Sequence, residues 1–199
     1  MFLNEDLFID FLNRKEILWL GINFGKVKFT RKGFDLTQDA MHHLFHEWNQ
    51  LILSDQKKYD IRMSFRKPIM EYNLSTVTKI NRSSRLSSVL TKRIDIKYVL
   101  NEEQIIQFVS EYEYPQIFEY SLTFVVESFD TETKTAAIWV VVLKSATNEV
   151  VLCEKFLKTP SGLGTRNYWA RTFYNVFYDI QSASFLRWAN MVGNKINKD

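Results

Sequence analysis

The sequence predicts an α+β fold: an antiparallel or mixed sheet of about five to six strands that ends in a C-terminal meander, packed by helices that include a long C-terminal one. Three observations predict it. From Tyr120, three β-rich runs, SLTFVVESF, AAIWVVVLK and EVVLCEKFL, succeed one another with short polar connections at 130–133 and 145–148, the pattern of antiparallel hairpins. From about Arg166 to Val192, a stripe of Trp169, Phe173, Val176, Phe177, Ile180, Ser184 and Trp188 recurs at helical spacing. Third, 16 Phe, 9 Tyr and 5 Trp stand in 199 residues beside only 6 Gly and 3 Pro. Each buried aromatic removes roughly 150–250 Å² from water, so a large core is within reach. No repeat or linker divides the chain, and residues 1–199 read as a single domain.

Taken in chain order, the elements begin with Leu3, Leu7, Phe8, Phe11 and Leu12, which share one helical face, with Asn4 as cap. Residues 16–30 form the first strand. Leu18, Leu20, Ile22 and Phe24 alternate with Trp19, Gly21, Asn23 and Gly25, and Gly25 marks a bulge where the apolar parity changes. Asp35 or Thr37 caps a second helix running to about Leu53, with Ala40, Met41, Leu44, Phe45, Trp48 and Leu51 or Ile52 inward. Residues 59–80 read as two extended edge pieces around Pro68. The stretch NRSSRLSS reads as a mobile loop, 94–100 as a short strand, and Asn101 as the cap of a helix from Glu102 to Tyr112. The run Thr159–Gly164 breaks the last strand before the long helix.

The net charge is +3, too small to demand an acidic partner, but it is unevenly spread. Residues 57–97 hold eleven basic and three acidic side chains, and residues 98–133 hold eight acidic and none basic. Adjacent blocks of opposite sign are expected to pack together and neutralise one another. The alternative is nucleic-acid binding through the basic Lys57–Lys97 segment, with Tyr59, Phe65 and Tyr72 as stacking platforms. No stretch approaches the roughly 18–20 apolar residues of a membrane span. The acidic N-terminus lacks the character of a signal peptide, so the chain reads as cytoplasmic unless a leader has been removed.

The chemistry available is sparse. His42 and His46 are one helical turn apart, a spacing that suits a metal, and His43 pairs with Glu47 in the same way. No third histidine ligand exists elsewhere, and a polar helix rim is the weightier reading. The loop PSGLGTRN joins a strand to a helix, so backbone N–H groups beside Arg166 could hold a small anion. It lacks the glycine and Gly-Lys-Ser/Thr signatures of nucleotide loops. Gly162, Gly164, Arg166, Asn167 and Trp169 are therefore the residues expected to bind a ligand, if any do. Their structural roles would be a tight turn made by the glycines, Asn167 bonding that turn and Trp169 anchoring the helix. Arg166 would then pair with an acid of the 98–133 segment. The single cysteine, Cys153, excludes an intramolecular disulfide and reads as an inert thiol. No cofactor is called for.

Two stretches carry a resemblance: LWLGINF with Lys26-Val-Lys just after it, and GLGTRNYWA from Gly162 to Ala170. They resemble a Bacteroidetes protein family of unknown function across most of the chain, including the Glu102 helix and the strand ending Val125-Val126-Glu127-Ser128. Members are usually exported behind a signal peptide. More distantly, the element order is similar to small α/β envelope lipoproteins, such as the curli secretion lipoprotein and the lipoprotein activators of penicillin-binding proteins. The expectation is a non-enzymatic binding or protein-interaction module, with the bacterial envelope as one place for it. The alternative is an enzyme or an anion- or metal-binding protein using the Gly162–Arg166 loop or the His42–Glu47 helix.

Overall fold

The structure, a computed structural model, describes residues 1–30, 32, 34 and 36–196, with the side chains of 194–196 excepted. Among them one mixed sheet of eight strands carries helices on both faces. Its backbone is the predicted meander: β6 (Tyr120–Asp130), β7 (Thr135–Lys144) and β8 (Glu149–Lys158) run antiparallel. Beside β8 lies a two-residue strand, β1 (Phe2–Leu3). On the other side of β6 the sheet turns parallel. There β2 (Glu16–Asn23) and β3 (Lys28–Thr30) lie end to end along β6. They are joined by the turn Phe24–Val27, where Val27 N–H donates to Phe24 C=O. Outside them are β4 (Ile69–Tyr72), parallel to β2, and β5 (Leu90–Thr91), parallel to β3. The strand count exceeds the expected five to six because the chain adds these two- to four-residue pieces at the sheet margins.

Two cores result. On one face α1 (Glu5–Asn13), α2 (Gln38–Ser54), α3 (Ile61–Phe65) and the C-terminal helices cover an aromatic core. In it Phe129 stacks on Trp169 at 4.5 Å and Phe24 on Phe45 at 4.3 Å. On the other face α6 (Glu102–Ser110) covers a smaller core of Leu18, Leu20, Val125, Trp139, Val141 and Cys153. The long helix forms as its stripe requires, as α7 (Thr165–Asp179), a π turn at Ile180–Ser184 and α8 (Phe185–Ile196). All seven stripe residues are buried. Asn4, Thr37 and Asn101 cap α1, α2 and α6 through their side chains, whereas Asp35 lies outside the described residues.

Several expectations are corrected. The bulge in the first strand falls between Trp19 and Gly21, and Gly25 sits instead in the turn that ends β2. The bulge rotates the remainder of the strand, so Ile22 and Phe24 join Trp19 in the aromatic core while Leu18 and Leu20 face α6. Half of residues 59–80 are helical, in α3 and in α4 (Ser75–Ser83), and only Ile69–Tyr72 form a strand. Pro68 lies just past the end of α3, where Arg66 takes a left-handed conformation. The NRSSRLSS stretch is not a long loop: it closes α4 and opens the short α5 (Leu86–Val89). Residues 96–98 form a 3₁₀ turn rather than a strand.

The charge blocks meet where Lys79 lines one hollow with Glu111 and Glu113, but without a close ion pair. Among the described residues no ion pair joins 57–97 to 98–133. Instead Glu127 pairs with Lys155, Glu119 with Arg14 and Lys144, and Glu102 with the N-terminal ammonium. Lys67, which in the sequence belongs to the basic block, is 1% exposed. Its ammonium donates to the carbonyls of Phe11 and Arg14 and so caps the C-terminal end of α1 from another element.

Candidate functional site

The site is built from the way β2 loses its neighbour. β4 accompanies β2 only as far as Trp19, and beyond it no strand among the described residues lies beside the outer edge of β2. Two buried asparagines take that place. Asn49 stands on the inward stripe of α2, between Phe45 and Ile52. Its Oδ1 accepts from Ile22 N–H at 2.7 Å, and its Nδ2 donates to the C=O of Ile22 and of Phe45. Asn81, near the end of α4, accepts from Phe24 N–H at 2.7 Å and donates to Ile22 C=O. Such a helix-borne amide can match a strand's alternating donors and acceptors because it carries both. The helix can approach because residue 21 is glycine: its φ is +100°, and a Cβ there would sit 2.6 Å from Asn49 Oδ1.

Above these amides α2 and α4 enclose a cleft of about 300 Å³, with Phe45 and Leu74 as apolar walls. His42, His43, His46 and Arg82 form its rim, and Thr78, Asn49 and Asn81 lie within. His42 Nε2 lies 2.9 Å from Ser84 C=O, so that imidazole helps tie α2 to the end of α4. Among the described residues no three His, Cys, Asp or Glu side chains converge as a metal site would need, so the His42–His46 pair stands without a third ligand.

The Gly162–Arg166 loop and the His42–Glu47 helix meet at Glu47. Its carboxylate lies 3.3 Å from His43 Nδ1 on one oxygen and 3.5 Å from Arg166 Nε on the other. Arg166 thus pairs with α2, not with the 98–133 segment. Its backbone C=O also accepts Trp48 Nε1, and its guanidinium donates to Asn167. Gly162 and Gly164 both have positive φ, and Gly164 is the N-cap of α7 with no side-chain bond of its own. Trp169 is buried between Phe34 and Phe129 as a helix anchor. Gly162, Gly164 and Asn167 are exposed. Cys153 is fully buried beneath α6, and burial pushes its thiol up to about 12, so its thiolate is scarce.

A second feature lies at the sheet margin. Ile69 N–H donates to Lys15 C=O and Asn73 N–H to Trp19 C=O. Strand alternation therefore turns the N–H and C=O of Met70 and Tyr72 away from β2. Among the described residues no hydrogen bond reaches these groups. Ile69 and Tyr72 are about half exposed, and beside the start of β4 lies a hollow of about 520 Å³ lined by Arg62, Met63, Arg66, Pro68 and Gln181.

Asn49, Asn81 and the open edge are not visible in the sequence as functional features. Asn49 does carry a signal, being a polar residue inside an otherwise apolar helical stripe.

No protein-family model matches the sequence and no curated protein matches it, so the family resemblance rests on its two motifs alone. Among solved structures the chain is similar to the lipoprotein GNA1162 of Neisseria meningitidis, at 10% identity over 85% of this chain and 98% of that one, with a TM-score of 0.35. It is similar also to the hypothetical protein CT253 of Chlamydia trachomatis, at 11% identity, 84% and 93% coverage, and a TM-score of 0.36. The C-terminal domain of LpoB from Salmonella enterica matches at 10% identity, 78% and 94% coverage, and a TM-score of 0.31. Likenesses this distant say nothing of what the chain binds.

Proposed function

We propose that the protein is a non-enzymatic interaction module that accepts an extended segment of a partner protein as a further strand beside β4. One observation carries this reading: β4 ends the strand order, and none of the described residues is hydrogen-bonded to the outward-facing N–H and C=O groups of Met70 and Tyr72. Strand addition uses main-chain bonds for affinity and neighbouring pockets for specificity. Here Ile69 and Tyr72 offer apolar contact, and the arginine-lined hollow at Arg62 and Arg66 suits an acidic side chain next to the added strand. The absence of an enzymatic constellation supports the same reading. Among the described residues, no serine, threonine or cysteine side chain is hydrogen-bonded to a histidine, and the one His–carboxylate pair shares its carboxylate with Arg166. The motif resemblance adds export, and the similarity of element order to envelope lipoproteins adds the bacterial envelope, which fractionation of cells checks.

Selection of peptides from a random display library on the folded protein tests the interaction. Tyr72→Pro removes an outward donor and leaves the ladder to β2 intact. Selected peptides should combine apolar and acidic residues and lose binding to the Tyr72→Pro protein while its melting temperature stays put. Peptides that bind both proteins equally would sink the proposal.

A further inference from the structure

We infer that the cleft between α2 and α4 is a binding site for a small carboxylate with an apolar body. This goes beyond the strand-addition reading and does not depend on it.

Most of the polar atoms at the floor of the cleft are already paired. Both amide oxygens at its floor are consumed, Asn49 Oδ1 by Ile22 N–H and Asn81 Oδ1 by Phe24 N–H. Asn49 also spends both amide hydrogens, on the C=O of Ile22 and of Phe45. Asn81 spends one, on Ile22 C=O, and its second has no protein partner among the described residues. Asn81 is 6% exposed, so that donor is cut off from bulk water except through the cleft it lines. A buried donor without an acceptor costs about 1–3 kcal/mol, which a ligand oxygen would recover.

The rest of the lining agrees. The Ser84 carbonyl, the nearby backbone acceptor, is taken by His42 and Gln38. The Thr78 hydroxyl and the Arg82 guanidinium have no hydrogen-bond partner or ion pair among the described residues, so the hydroxyl can donate or accept and the guanidinium can donate. No carboxylate lines the cleft. α4 has no acid, and of the two on α2 Glu47 is paired with His43 and Arg166 while Asp39 stands in the first turn, outside the lining. A spare buried amide donor and the Arg82 guanidinium, with no carboxylate in the lining, favour an anion. Phe45 and Leu74 as walls select an apolar body behind it. A volume of about 300 Å³ holds roughly ten non-hydrogen atoms at the packing of liquid water, the size of benzoate or hexanoate.

The test is a titration of the isotopically labelled full chain, read by amide NMR, with benzoate, hexanoate, benzamide, and a short apolar peptide carrying either a free or an amidated C-terminus. The acids are expected to shift the Asn81 side-chain amide, with the Thr78 and Phe45 backbone signals, and benzamide is not. Arg82→Gln should weaken acid binding about tenfold, the loss of one charge-assisted hydrogen bond. Arg82 is exposed, so this variant keeps the fold. Shifts from the free-ended peptide and not from the amidated one would assign the carboxylate to a chain terminus, and shifts from the acids alone to a small metabolite. The inference is overturned if no acid binds at millimolar concentration, if benzamide binds as well as benzoate, or if the shifts map away from α2 and α4.

Discussion

Asn49 holds both the N–H and the C=O of Ile22, through a 2.7 Å and a 3.0 Å hydrogen bond, and so does for the outer edge of β2 what a neighbouring strand would do. The outer edge of β2 is therefore completed by main chain below, through β4, and by side-chain amides above. The boundary between the two lies at Gly21, where the helices come closest.

That relationship makes a prediction about the pair. Asn49→Ala leaves Ile22 N–H buried and unpaired and should cost about 3 kcal/mol. Gly21→Ala should cost a similar amount, about 3 kcal/mol, from the positive φ and the contact with Asn49 Oδ1. Together they should cost clearly less than the sum, because Asn49→Ala removes part of the obstruction. Urea denaturation of the four proteins checks it. Simple additivity would show that the amide and the glycine are not coupled.

Lys67 offers a test with a pH sign. Burial lowers its amine from 10.5 to about 8. Between those values the unfolded chain holds a proton that the folded chain has released, so stability rises with pH across that window. Lys67→Met leaves the Phe11 and Arg14 carbonyls at the end of α1 unpaired and should cost about 3 kcal/mol. It also removes the titration, so the gap between wild type and variant should widen from pH 8 towards 10.5. A gap that narrows would contradict this placement of the amine.

On the opposite face, Glu127 is 3% exposed, accepts from Trp139 Nε1 and Leu100 N–H, and pairs with Lys155 Nζ at 2.8 Å. Glu127→Gln leaves the Lys155 ammonium without its counter-charge and should destabilise the fold by about 3 kcal/mol. Adding Lys155→Met to it should return part of that loss. If the second change adds its full cost, the two side chains are not a pair.

Much of this fold is legible in the sequence. The meander from Tyr120 and the stripe from Trp169 to Trp188 are long and periodic, and Asn4, Thr37 and Asn101 announce their helices by capping chemistry. Residues 59–98 resist reading because their elements are two to nine residues long, too short for periodicity to separate helix from strand. The charge run hides Lys67, whose burial depends on the carbonyls of α1, more than fifty residues away in the chain. Arg166 and His43 each stand out in the sequence, but their common partner Glu47 is set by the packing of α2 near α7. The amides of Asn49 and Asn81 escape notice because their partner is a strand edge left open by the short length of β4.

The claim that β4 is an edge prepared for a partner strand is tested most directly by native-state amide exchange of the full chain. Met70 and Tyr72 amides should exchange fast while Ile69, Glu71, Ile22 and Phe24 are protected, and a selected peptide should slow Met70 and Tyr72 in step with its binding. Protection of Met70 and Tyr72 in the free monomer, or no change on peptide binding, would contradict it.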